Sequence, residues 1–298
     1  MRPRHITLAL LTIVIWGLNF IAIHVALRTV PPLFLCVLRF VFVAFPAVFF
    51  VPRPRIAFSR LALYGLATFV VQFSLLFSGM KAGLSPGLAS LVLQVQVFFT
   101  IALAMRIFGD RPPLSSWIGA LVAFAGIVLI ALHSRGEVSA LGLFLLLAAA
   151  LGWAVGNVAA RGANGTNPFG LVIWSGALAV PPLLVLSLAL EGPAAIAAAL
   201  AHPSLEVVGS LAYIVYGSTL LGYSIWADLL RRYPSPIIAP FTLLVPVVGF
   251  LGSAALIGEP LPPWKLGAAA LVLVGLALNL FGHRVVGAVI RLALARQP

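Results

Sequence analysis

The chain has 298 residues, 62% of them hydrophobic and 8% charged, with a formal net charge of +12 and a mean hydropathy of +1.17. Soluble domains carry about 25% charged residues, so a soluble enzyme or nucleic-acid-binding module is excluded and an all-α polytopic membrane protein is expected. One cysteine, Cys36, rules out an internal disulfide.

Ten apolar stretches reach the ~20 residues needed to cross a hydrocarbon core. They are Ile6–Leu27, Leu33–Val51, Leu61–Met80, Pro86–Phe108, Leu114–Leu132, Ala140–Ala160, Phe169–Leu190, Val207–Leu230, Pro236–Ile257 and Trp264–Phe281. Arg2 and Arg4 before the first one resemble a secretory leader, but the run is longer than a usual leader core and no Ala-x-Ala-like site follows. It is predicted to be a retained span.

Polar groups inside these stretches are the candidates for function, because such groups either join helices or line a water-filled path. In the first span Trp16 and Asn19 share a helix face. Arg39, seven residues into the second span, is expected to snorkel outward, or to meet a substrate carboxylate in an outward vestibule. His24 has the position of an interfacial polar tip. Gln72 and Ser78 in the third span are weaker members of the substrate-binding set. The fourth span reads LVLQVQVFFTIALA; two residues turn about 200° on an α-helix, so Gln96 is assigned to the substrate path and Gln94 to bonding between helices.

In the sixth span Trp153 and Asn157 repeat the indole–carboxamide pairing on one face, which suits an amino acid bearing a ring, with simple packing as the alternative. The eighth span carries Tyr216 and Tyr223, seven apart and predicted to stack along one face, and Trp226, which lies closer to an interfacial position. Pro240, Pro246 and Gly249 make the ninth span a candidate hinge or a static kink. At a shift of about 150 residues Gln94 matches Leu244 and Gln96 matches Pro246. A proline at 246 frees the carbonyl of Thr242, a polar function equivalent in depth to the glutamine.

That shift recurs along the chain. Ser85-Pro86 returns as Ser235-Pro236, Gly109-Asp110 with Pro113 returns as Gly258-Glu259 with Pro262, and Gly119 and Gly126 are followed by Gly267 and Gly275. The chain therefore reads as two five-span repeats, 1–135 and 136–298; an odd number of spans forces the second copy to enter from the opposite side. Thirteen basic residues fall on the side of the N-terminus and four on the other, with Arg39 inside a span. This bias predicts cytoplasmic termini and explains the basic charge without nucleic acid.

The ten spans in two inverted halves, the TIVIWGLNF entry and the Gly-acid-x-x-Pro approach to the last helix of each half resemble the EamA-type drug/metabolite transporters. Within them the chain is most similar to bacterial aromatic amino acid exporters of the YddG kind. The resemblance implies a bacterial inner-membrane exporter of aromatic and other neutral amino acids, each half being four helices plus one. Another small metabolite or drug is the alternative cargo.

An integral-membrane enzyme is the rival class. The acids Asp110, Asp228, Glu137, Glu191, Glu206 and Glu259 fall in loops or at span ends, with no metal-binding cluster and no His-Glu-x-x-His. No metal or cofactor is expected; the expected partners are an amino-acid substrate and the lipid bilayer. Gly119 with Ala123 is suited to packing against a second protomer or within a monomer. No acid lies in the middle of a span, so facilitated exchange is expected, with Asp228 or His24 as the alternative proton carrier.

Overall fold

The computed structural model describes residues 1–133, 138–161, 167–201, 203–233 and 235–294. Arg135, Glu137, His202 and Arg296 lie outside them, as do the side chains of Ser235, Pro236, His283, Arg284 and Arg291. Ten helices have the length and apolar character to cross a membrane: Pro3–Ala26, Pro32–Phe49, Phe58–Lys81, Pro86–Phe108, Leu114–Leu132, Ala140–Arg161, Pro168–Leu190, Leu205–Leu229, Pro240–Ile257 and Pro263–Gly282. These are the predicted spans with ends moved by a few residues. The ninth starts at Pro240 because Ser235–Ile238 forms its own helical turn before a 3-10 segment over Ala239–Leu243. A short helix at Gly192–Ala201 follows the seventh span; at about 15 Å it is too short to cross.

Packing follows the sequence correspondence. The first span lies against the eighth and ninth, and the sixth lies against the third and fourth. The second packs on the seventh, the fourth on the ninth, and the fifth on the tenth. Exchanging each span for the one five places on converts this contact pattern into itself. The fifth and tenth spans touch through small residues: a Cβ built on Gly275 would stand 2.8 Å from the Cβ of Ala123, and Gly119 meets the carbonyl of Gly275. Only hydrogen atoms there permit such an approach of backbones, so Gly119 and Ala123 pack within the chain.

Besides the 3-10 turn Ala47–Phe49 that ends the second span, four spans depart from α-helical geometry, in matched pairs. The third and eighth contain π-helical stretches, Leu66–Gln72 and Tyr213–Leu221. The fourth and ninth contain 3-10 segments, Leu93–Val95 and Ala239–Leu243. Such breaks in the regular ladder free backbone groups, and inside a membrane those groups need a polar partner or a wet cavity.

One end of the bundle is fastened by polar links. Glu259 sits at the N-terminus of the fourth span, accepting from Ser85 Oγ, from the Gly87 N–H at 3.1 Å and from Lys265 Nζ at 3.1 Å. Glu191 accepts from the N–H groups of Leu33 and Phe34 at 2.7 and 2.9 Å at the start of the second span. Both carboxylates satisfy N–H groups that a helix start leaves without intrahelical partners. Asp110 lies at the opposite end of the fourth span.

Candidate functional site

Between the spans lies a cavity of about 380 Å³, within the usual range for small-molecule sites. All four paired irregular stretches reach it: Thr68 and Gln72 from the third span, Ser218 from the eighth, Leu93 and Gln94 from the fourth, and Thr242 ahead of the ninth helix. The first and sixth spans contribute Trp16, Asn19, Trp153 and Asn157.

One wall is aromatic. Trp16 packs against Tyr223 at 5.4 Å and Trp226 at 5.1 Å between ring centroids, and its Nε1 donates to the Ser218 carbonyl at 3.1 Å. The π-helical segment supplies that carbonyl, and Gly222 lets the indole cross the eighth span, since a Cβ there would lie 2.7 Å from Trp16 Nε1. Trp226 is thus a cavity residue rather than an interfacial anchor.

The other wall is built from amides. Asn157 Nδ2 donates to Gln96 Oε1 at 2.8 Å and to Thr100 Oγ1 at 3.2 Å. Gln94 Nε2 donates to the Thr242 carbonyl at 3.2 Å, joining the fourth and ninth spans. The expected division between the two glutamines is therefore incomplete: Gln94 makes the link between helices, yet both line the cavity. The 3-10 turn at Leu93–Val95 explains this, because at three residues per turn the two side chains stand about 120° apart instead of about 160°. The repeat register also differs. Spans four and nine both end on a left-handed glycine, Gly109 at φ +70° and Gly258 at φ +67°, a separation of 149 residues that pairs Gln96 with Val245. Pro246 is buried and outside the cavity, while Val245 and Thr242 line it.

Three expectations are corrected. Arg39 does not snorkel: it is 2% exposed and lines the cavity, its Nη2 donating to Thr219 Oγ1 at 3.0 Å and its guanidinium carbon 4.1 Å from the centre of the Phe73 ring. The third and eighth spans both pack on the second and enclose the guanidinium with Phe73 and Thr219. Tyr216 is 57% exposed and points away from the cavity; i→i+5 bonding takes more residues per turn than an α-helix, so seven residues no longer bring it beneath Tyr223. Ser78 is half-buried outside the cavity, six residues and about 120° around the helix from Gln72. Pro240 lies in the 3-10 segment, and Gly249 is a close contact between the ninth and fourth spans, where a Cβ would stand 2.6 Å from Ser90 Oγ.

Sequence reasoning missed Tyr64 and Thr68. A readable signal existed, because Tyr64, Thr68 and Gln72 form an i, i+4, i+8 row on one helix face. Thr68 is seated against Gly156, whose missing side chain makes room for the hydroxyl. No such signal marked the Ser218 carbonyl, exposed by a local change in helix type.

A second, wider cavity of about 530 Å³ is lined by Asp110, Arg111, Arg161, Thr100 and Asn157. Asn157 borders both spaces. Asp110 pairs with Arg161 there, the Arg161 Nη2 donating to Asp110 Oδ1 at 3.1 Å.

The EamA-like transporter family profile matches residues 4–132 and again residues 140–281. The chain belongs to the EamA-like transporter family. A protein of Salmonella typhimurium strain LT2, described as a "probable amino-acid metabolite efflux pump", is 44% identical over 93% of this chain and 95% of its own length. One of Escherichia coli K12 with the same description is likewise 44% identical with the same coverage. An uncharacterized transporter of Archaeoglobus fulgidus is 27% identical over 89% of this chain and 95% of its own. A crystal structure aligns with a TM-score of 0.58 at 19% identity, covering 94% of this chain and 98% of that one, which shows the shared fold. This EamA-like protein is a multi-pass membrane transporter, not an enzyme, and the cavity described above is its candidate substrate site.

Proposed function

We propose that this transporter exports amino acids, aromatic and other neutral ones, across the bacterial inner membrane by alternating access. The moving parts are two inverted halves, 1–135 and 136–298, and both termini are cytoplasmic. The central cavity carries this reading, because it combines an indole and phenol wall with five carboxamides from four spans and the guanidinium of Arg39. The efflux description of the two 44% identical relatives supports the direction and the class of cargo. The self-consistent exchange of span contacts supports two equivalent halves, as alternating access between inverted repeats requires.

In this orientation the Asp110 cavity opens to the cytoplasm, and the Glu259–Lys265 links close the periplasmic end. Substrate enters past Arg161 and Asn157 and rests among the amides. It leaves when the Glu259 end opens. An unpaired guanidinium in the cavity opposes cationic drugs. Among the described residues no acid lines the cavity.

The test is counterflow in vesicles reconstituted with the full chain, loaded with unlabelled amino acids and offered a labelled panel of amino acids, lipophilic cations and organic acids. Exchange of neutral amino acids, phenylalanine and tryptophan among them, is expected. Exchange of cations without any amino acid would replace this reading by drug export.

A further inference from the structure

We propose that Arg39 is the anchor for the substrate's α-carboxylate, and that Gln72 and Asn19 receive its α-ammonium, so the cavity selects the amino-acid zwitterion before it reads the side chain. This rests on the amino-acid reading of the cavity given above and names the atoms that would enforce it.

Three of the five N–H groups of Arg39, those on Nε and Nη1, have no hydrogen-bond partner among the described residues. The side chain is 2% exposed. Its neighbours are the Thr219 hydroxyl, the Phe73 ring at 4.1 Å and the Phe40 ring at 5.6 Å, which hold a cation in place without neutralising it. A buried guanidinium that lacks an acid is costly at membrane depth. The ion pairs formed among the described residues involve Arg161, Arg231, Arg232 and Lys265, not Arg39. A carboxylate entering the cavity would supply the missing charge and accept from these free N–H groups, as guanidinium does with carboxylates elsewhere.

The complementary charge of the substrate also has partners. Gln72 and Asn19 line the same cavity, and their Oε1 and Oδ1 atoms are buried with no donor among the described residues. Two carbonyl oxygens suit an ammonium group, which has only donors. The second span thus offers a cation to the substrate, while the first and third offer neutral acceptors. The aromatic wall of Trp16, Tyr223 and Trp226 is left for the side chain.

Two arms test this in reconstituted vesicles. In the first, the unaltered protein is offered phenylalanine and phenylalaninamide, then the same pair for every amino acid that exchanges in the counterflow panel. The amide keeps the ring and the ammonium but lacks the carboxylate. Its competition is expected to be weaker by about a hundredfold, the loss typical of removing one partner of a buried charged pair. In the second arm, Arg39→Gln should lower kcat/KM for amino acids by a similar factor and leave the weak transport of the amide within about twofold, with Arg39→Lys intermediate. Equal handling of acid and amide by the unaltered protein overturns the anchor even if the Arg39 variants fail to fold. So does a folded Arg39→Gln protein with unchanged KM for amino acids. If the unaltered protein exchanges no amino acid, the cargo reading itself falls.

Discussion

Asp110 and Glu259 follow the same motif, each directly after a left-handed glycine at the end of a matching span, yet their surroundings are opposite. Glu259 and Lys265 have side chains 5% and 7% exposed, and Glu259 also fastens the start of the fourth span through Ser85 and Gly87. Asp110 and Arg161 are 41% and 50% exposed, at the mouth of the wider cavity. One end of the bundle carries a buried ion pair, the other an exposed one beside a cavity. The difference also has a chemical side: the position matching Lys265 at the 149-residue register is Ser116, so no lysine stands where this lock would be copied. On the proposed alternating-access reading, closure at the Asp110 end must therefore use other groups, and the two states need not be equally stable.

The largest effect is expected from breaking the buried lock. Glu259→Ala leaves Lys265 buried without its counter-charge and two donors at the fourth span without their acceptor. Removing one partner of a buried pair costs about 3–5 kcal/mol, so thermal unfolding in detergent should fall sharply. The double variant Glu259→Ala/Lys265→Met should recover most of the loss, because the uncompensated cation is gone. An unchanged melting temperature in Glu259→Ala would mean that this end is held by apolar packing alone.

Next comes the placement of the two ends. Single cysteines at Arg111 and Pro260, both exposed, are expected to react with an impermeant thiol reagent from opposite sides of oriented cells in a Cys36→Ala background. Ser115 is a poor reporter at this end because it is 8% exposed. Equal labelling of the two cysteines would remove the inversion on which the comparison of Asp110 with Glu259 depends.

Much of this was legible in the residues because hydrophobic length is a strong signal in a membrane. The ten spans follow from apolar runs, and Trp16, Asn19, Trp153 and Asn157 follow from side-chain spacing on regular helices. The errors cluster where the helix stops being regular. Tyr216 was misplaced by a π-helical stretch, the separation of Gln94 from Gln96 by a 3-10 turn, and the pairing of Gln96 with Pro246 by a one-residue error in register. Arg39 failed for a different reason: its depth was readable, but the third and eighth spans that enclose it are distant in sequence. No pattern along the second span records that they are there.

A smaller effect is expected at the exposed pair. Asp110→Asn removes an exposed ion pair, and such pairs contribute little to folding, so the melting temperature should hardly move. The Arg161 hydrogen bond holds the Asp110 carboxyl below its ordinary pKa. Its contribution is therefore complete above the ordinary carboxylate range and is lost only as pH falls through the lowered folded value. Neutral and mildly acidic conditions should leave the pair intact. A stability loss in Asp110→Asn as large as that of Glu259→Ala would erase the distinction between the exposed and the buried pair.

The smallest effect expected is none, from a proton gradient. Carriers driven by protons commonly place an acid or histidine where it is exposed to each side in turn, and both acids compared here are tied at the ends, away from the central cavity. Asp228, one alternative, is held by Arg231 and Arg232 at 2.7 Å each. His24, the other, is half-buried, and neither lines the cavity. On the proposed binding mode, a zwitterion held between Arg39 and neutral acceptors needs no proton to enter or leave, and direction is expected to follow the concentration difference across the membrane. Counterflow should persist at the same rate with the gradient collapsed, and an imposed pH difference should not concentrate substrate. Accumulation driven by pH alone and abolished by Asp228→Asn or His24→Gln would show that one of these residues carries a proton, and would require a conformation in which it reaches the cavity.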